Sequence, residues 1–150
     1  MKKIAILITM CLGLGLSQGV WATYWLVTED EMNASLAAPE PMRARAVPVP
    51  GAPRIDLQAP VINAPVKAPV SIRLAFNTES PAQARPDSFK AYYGRLRIDI
   101  TQRLLGAAKV TADGIQVDGA ALPKGHHRLS LRIEDSMGRT GERTFEFEVQ

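Results

Sequence analysis

From Val70 to the end of the chain, hydrophobic and polar positions alternate with a period of two. Ile72, Leu74 and Phe76 alternate with Ser71, Arg73 and Ala75. Phe89, Ala91 and Tyr93 alternate with Lys90 and Tyr92, and Leu96, Ile98 and Ile100 alternate with Arg97 and Asp99. Successive side chains of an extended strand point to opposite faces, so this pattern predicts half-buried strands. Asp113-Gly114, between Val110 and Val117, predicts a tight hairpin whose glycine supplies positive φ. Near the end, Leu129, Leu131 and Ile133 point one way, as do Phe145, Phe147 and Val149, around a turn-forming Asp135-Ser136-Met137-Gly138-Arg139. A hairpin that sets Leu131 opposite Phe147 also sets Arg132 opposite Glu146, satisfying both faces in one register.

The first part of the chain follows different rules. Thr28 and Glu31 form a capping box ahead of a short helix from about Glu29 to Ala37, which Pro39 and Pro41 terminate. Met32 and Leu36 share one face of it, and a helix this short needs a surface to lie on. Between Pro39 and Pro69 fall eight of the eleven prolines, with Arg43 and Arg45 among them. Such a stretch favours extended polyproline II and predicts a semi-rigid linker or a docking segment for a proline-recognising partner. Within it, Arg54-Ile55-Asp56-Leu57 alternates and suits a first edge strand, where nearby proline is tolerated.

Short strands at regular spacing, with no long helical pattern, indicate an all-β fold: a small immunoglobulin-like antiparallel β-sandwich. The expected organisation is a signal peptide over residues 1–22, a short helical segment over 23–38, a proline-rich linker over 39–69 and the sandwich over 70–150. Lys2 and Lys3 precede an apolar run from Ile4 to Leu16, and the small-residue end Val20-Trp21-Ala22 follows, which is the layout of a secretory signal. A bilayer-spanning helix needs about 20 apolar residues, so the run before Ser17 is short for an anchor. Retention of residues 4 to 26 as a tether is the alternative. Met10 stands where lipoprotein signals carry a small residue ahead of the cysteine, which argues against lipidation at Cys11.

Cleavage after Ala22 changes the charge reading, because Lys2 and Lys3 leave with the signal and the formal net charge falls from +3 to +1. That balance gives no basis for nucleic-acid binding, and a membrane is a partner only if the signal segment is retained. The single cysteine also leaves, so the mature chain has no disulfide and depends on core packing. Periplasmic or secreted localisation follows, with a protein or another envelope component as the expected partner.

Leu122-Pro123-Lys124-Gly125-His126-His127-Arg128-Leu129, then Asp135 and Gly138, and the terminal Phe145-Glu146-Phe147-Glu148-Val149 resemble the last two strands of bacterial immunoglobulin-like modules. Val70 to Phe76, followed by Pro86-Asp87-Ser88-Phe89, is similar to the opening strands of the same modules. The resemblance covers about residues 60 to 150 and implies fold more than function. The chain also resembles CopC-type periplasmic copper-binding proteins in export, size and its last two strands. That family's copper ligands are a mature N-terminal histidine and a histidine in the turn before the last strand. Here those places hold Thr23 and Arg139, so the resemblance carries no copper site to this chain.

His126 and His127 are the only histidines, and adjacent residues of a strand point to opposite faces, so they cannot chelate one ion together. His127 has the parity of Leu129 and Leu131 and is expected in the core with its ring hydrogen-bonded. A metal-handling alternative has only His126, His127 and Met137 to draw on. Asp87, Asp113, Asp118 and Asp135 sit in turn contexts and lack the spacing of a calcium loop. The mature chain has no cysteine and no Gly-x-Ser-x-Gly elbow, and the expectation is no enzyme, no catalytic residue, no metal site and no cofactor. The residues singled out for partner contact are Tyr24 and Trp25, aromatics beside the predicted cleavage site, and Arg95 and Arg97, placed on one face of a predicted strand.

Overall fold

The computed structural model describes residues 25–42, 47 and 49–150. The predicted signal peptide, Thr23, Tyr24, Arg43 and Arg45 lie outside the described residues. Two antiparallel four-stranded sheets pack face to face as a β-sandwich. One sheet has the order β1-β2-β6-β5, from β1 (Arg54–Ala59), β2 (Val70–Asn77), β5 (Ala108–Val110) and β6 (Gly114–Ala120). The other has the order β4-β3-β7-β8, from β3 (Ala84–Tyr93), β4 (Ile98–Asp99), β7 (Gly125–Asp135) and β8 (Thr140–Val149). Two short helices, α1 (Glu29–Ala37) and α2 (Thr101–Ala107), complete the fold. Among the described residues no helix is long and apolar enough to cross a membrane.

The alternation read from the sequence is the alternation that is buried. Ile72, Leu74 and Phe76 of β2, Phe89, Ala91 and Tyr93 of β3, Ile115 and Val117 of β6, Leu129, Leu131 and Ile133 of β7, and Phe145, Phe147 and Val149 of β8 form one continuous apolar layer. Ile55 of the edge strand β1 joins it. So do Leu26 and Val27, at 1% and 0% exposure, and Met32 of α1. The chain preceding the proline-rich stretch is therefore built into the sandwich core. Trp25 makes a parallel bridge to Ala121, and the Leu26 N–H donates to the Ala121 carbonyl at 3.0 Å.

Both halves of the α1 capping box form: the Glu31 N–H donates to Thr28 Oγ1 at 3.2 Å and the Thr28 N–H to Glu31 Oε2 at 3.0 Å. Glu31 also receives both terminal nitrogens of Arg103 at 2.7 Å. That bidentate pair ties the start of α1 to α2 and, with the capping bonds, holds the Glu31 carboxyl down at about 2.

Three local expectations are corrected. Leu96, Ile98 and Ile100 do not share a strand: residues 94–97 form a turn in which Leu96 is 53% exposed and Arg97 has φ 52. Only Ile98 and Asp99 pair with β3, and Ile100 and Leu104, four apart and both buried, then form the inner face of α2. Period two and period 3.6 coincide over so few residues, and the second reading wins because Ile100 and Leu104 both reach the core.

The hairpin of β7 and β8 pairs Leu129 with Phe145, His127 with Phe147, and Arg132 with Glu142, not Leu131 with Phe147 and Arg132 with Glu146. The turn decides this. The Asp135 carboxylate accepts the Met137 and Arg139 backbone N–H groups, each at 2.9 Å, and the Arg139 Nε at 2.7 Å, while Gly138 takes φ 76. These contacts centre the hairpin on Met137. Burial alone raises the Asp135 carboxyl, but the bonds from Arg139 and Met137 outweigh it and leave the pKa lowered. The register differs by an even number of residues, so every side chain keeps its expected face.

Gly114 is required for a different reason from the one expected. Its φ is not in the left-handed region, and the β5–β6 turn is made by Thr111-Ala112-Asp113. A Cβ at Gly114 would meet the Leu74 carbonyl oxygen at 2.0 Å, so close approach of β2 excludes any side chain there.

Because Leu26 is fully packed, Leu26→Ala is expected to lower stability by about 2–5 kcal/mol in urea denaturation, the usual cost of a buried leucine deletion. A change no larger than that of an exposed substitution would show that residues 25–27 are not part of the core.

Candidate functional site

A cleft of about 380 Å³ opens between the C-terminal half of α1 and the β7–β8 hairpin. Its floor is aromatic. Tyr93 of β3, His127 of β7 and Phe147 of β8 stand side by side, with Tyr93–His127 and His127–Phe147 ring centroids 5.8 and 5.7 Å apart. Its rim carries Glu40, Arg95, His126, Arg128, Glu146 and Glu148. The pleat of β7 produces this division, since His127 points into the sandwich while His126 and Arg128 point away from it.

His127 is 2% exposed and both of its ring nitrogens are engaged. Nε2 lies 2.8 Å from the Pro123 carbonyl oxygen, and Nδ1 lies 2.9 Å from the Tyr93 hydroxyl. A carbonyl can only accept, so Nε2 carries the proton. Burial depresses the His127 pKa, with His126 adding to it against the opposing bond to Pro123. The ring is thus neutral, and Nδ1 accepts from Tyr93. Burial pushes the Tyr93 hydroxyl up to about 12, so it remains protonated and able to donate. The expected core role of His127 is what the structure displays.

The rim charges are cross-linked. Arg95 donates from Nε to Glu40 at 2.9 Å and from Nη1 to the carbonyls of Leu36 and Ala38, both at 3.0 Å. Its backbone N–H donates to Ser35 Oγ at 2.8 Å. These are the carbonyls left without intrahelical partners at the end of α1, which has no basic residue in its last turn, so a cation from a distant strand connection supplies the missing donors. Arg128 donates to Glu40 at 2.5 Å and lies 3.6 Å from Glu146. Gly94 completes the seam, because a Cβ there would fall 1.8 Å from Ser35 Oγ.

Of the residues singled out in the sequence, Tyr24 lies outside the described residues. Trp25 is 53% exposed where the chain meets Ala121. Arg95 and Arg97 sit in the turn 94–97, not on a strand face, and they are not brought to one surface function. Arg95 caps α1, whereas Arg97 donates to Glu142 at 3.1 Å and stacks over the Tyr92 ring at 4.8 Å. His126 is exposed opposite Glu148, and Met137 lies in the turn beyond the far end of β7. Eight residues of strand separate His127 from Asp135, roughly 26 Å at strand rise, so His126, His127 and Met137 do not converge. Among the described residues no group of three or more His, Cys, Asp or Glu is placed to hold a metal ion.

The cleft itself was not legible in advance. Its residues come from α1, the 94–97 turn and two strands, and the one usable signal was the shared core parity of Tyr93, His127 and Phe147.

Among solved structures the chain is similar to CopC from Methylosinus trichosporium OB3b, with 19% sequence identity, 64% of this chain and 93% of that chain covered, and a TM-score of 0.44. No family model matches the chain, and no curated protein matches it.

Two outcomes follow from the site. Arg95→Ala is expected to destabilise by about 0.5–1.5 kcal/mol, the net worth of hydrogen bonds that water can in part replace at this helix end; a stability unchanged in urea denaturation would return Arg95 to the exposed surface. For His127 the folded pKa is depressed, so its contribution is complete above the unfolded value near 6.5 and is lost as pH falls towards the folded pKa. Urea midpoints measured from pH 8 to pH 4 should fall at the acid end, with a slope that His127→Gln reduces; identical pH profiles for the two proteins would contradict the assignment.

Proposed function

We propose that the chain is a non-enzymatic, exported immunoglobulin-like module that recognises a protein or other component of the cell envelope through the cleft between α1 and the β7–β8 hairpin. The observation that carries this reading is the state of the cleft's reactive groups. Its histidine, the natural candidate for metal or proton chemistry, has both ring nitrogens engaged within the core and is neutral. Its two arginines hold the end of α1 and Glu40. What the cleft presents outward is a fixed concave shape with an aromatic floor and a rim bearing His126, Glu146 and Glu148. This combination suits recognition, where apolar surface supplies affinity and a few placed polar groups supply specificity.

The compartment rests on the N-terminal sequence. Lys2, Lys3 and the apolar run to Leu16 have the layout of an export signal, which supports a periplasmic or secreted module. The immunoglobulin-like assignment rests on the strand patterns of the last two strands and on the two-sheet architecture.

In-cell photocrosslinking tests the reading. A photoreactive side chain in place of Glu148, on the cleft rim, is expected to give a discrete adduct with an envelope component that the same group in place of Met137, at the far end of β7, does not give. Equal adduct patterns at the two positions, or substrate turnover by the purified chain that depends on His126 or His127, overturns it.

A further inference from the structure

The strand register places several exposed apolar residues at one end of the sandwich. Trp25 bridges to Ala121, Val70 pairs with Ala120, and Val149 is flanked by Gly125 on one side and Val66 on the other. The entry of the chain, the β1–β2 connection and the start of β7 therefore share this end. The connection is held on both sides: Ala59 pairs with Arg73, and Val66 is clamped to β8 by Val66 N–H to Glu148 O at 2.7 Å and Gln150 N–H to Val66 O at 2.9 Å. Between those anchors it projects Val61 and Ile62, at 69% and 42% exposure, at the same end as Trp25 at 53%. A held loop that presents two adjacent aliphatic side chains to water, on the side where an exposed tryptophan stands, is a surface suited to apolar contact.

We propose that this end of the sandwich seats on a lipid bilayer, with Val61 and Ile62 entering the acyl boundary and Trp25 at the headgroup level. The choice of a bilayer comes from the chain leading into it and rests on residues 4 to 26 being kept as a tether, the alternative to cleavage after Ala22. The apolar run Ile4 to Leu16 is separated from Trp25 by the eight residues Ser17 to Tyr24, and Leu26 is already in the core, so no further spacer exists. Eight residues reach at most about 28 Å, whereas the eleven residues of β7 span about 36 Å. A bilayer that holds the apolar run therefore faces the Trp25 end and not the Met137 end. Tryptophan favours the membrane interface, and a short aliphatic tip gains free energy by entering the apolar region beneath it. Lys67 and Lys124 near this end are accompanied by Glu29 and Asp30 in the first turn of α1, so apolar insertion, not attraction to anionic lipid, is the source of affinity.

The test uses the full chain with Cys11→Ser, reconstituted in phosphatidylethanolamine–phosphatidylglycerol vesicles. An environment-sensitive fluorophore is attached through Val61→Cys, Ile62→Cys or Met137→Cys, all exposed positions. The expected result is loss of emission at positions 61 and 62 when brominated lipids replace ordinary ones, no loss at 137, and no change in 0.5 M salt, a concentration at which surface charge attraction is largely screened. Emission at 61 and 62 as indifferent to brominated lipid as at 137 overturns the proposal, and so does quenching that salt abolishes. Protection of position 62 in intact cells without quenching in vesicles would assign the tip to a protein partner and equally overturn it.

Discussion

Two sheets that each carry one apolar face cannot leave those faces in water, and with no disulfide among the described residues the closure between them is the chain's principal source of stability. Every other feature is arranged around that layer. The strands are paired so that one parity of each points inward, and α1, α2 and the segment from Leu26 to Val27 add apolar side chains where the sheets alone would leave its margins open. The proline-rich stretch is not separate from it either, since Pro53 is buried and Val66 covers the end of the β8 edge. That covering also shields backbone groups which an exposed edge strand would offer to other chains.

The polar features are fitted to the same layer. His127 occupies a core position that a hydrophobic residue would fill more simply, and it is tolerated because its two nitrogens meet one donor and one acceptor. Among the described residues no buried side-chain nitrogen or oxygen lacks a partner. Asp135 is the extreme case, fully buried yet ionised, since three N–H groups converge on it within one turn. The ion pairs around α1 act differently. Glu31–Arg103 at its start and Arg95–Glu40–Arg128 at its end fix a nine-residue helix that could not persist alone, and the cleft is bounded by the end so fixed.

A structural and a recognitive reading of the arginines need not compete. Arg95 was singled out for an outward role, and its guanidinium is instead turned to the end of α1. The surface it leaves available is the rim formed by His126, Glu146 and Glu148, with an aromatic floor behind it. The cleft and the Trp25 end are neighbours, since Glu148 of the cleft rim accepts from the Val66 N–H and pairs with His126 beside Gly125 and Val149, so contact at one bears on access to the other.

Parity was determined by the sequence itself. A strand side chain has only two directions to take, so alternation alone assigned Ile72, Phe89, Leu131, His127 and Phe147 to the core, and the capping residues Thr28 and Glu31 specified the start of α1 because both partners lie within one helical turn. Register, by contrast, was decided by tertiary structure. The turn contacts of Asp135 chose among pairings of equal parity, the packing of Ile100 with Leu104 turned an apparent strand into α2, and the approach of Leu74 gave Gly114 its purpose. The cleft belongs to this second kind, because its walls come from segments far apart in the chain whose meeting depends on distances that no local pattern encodes.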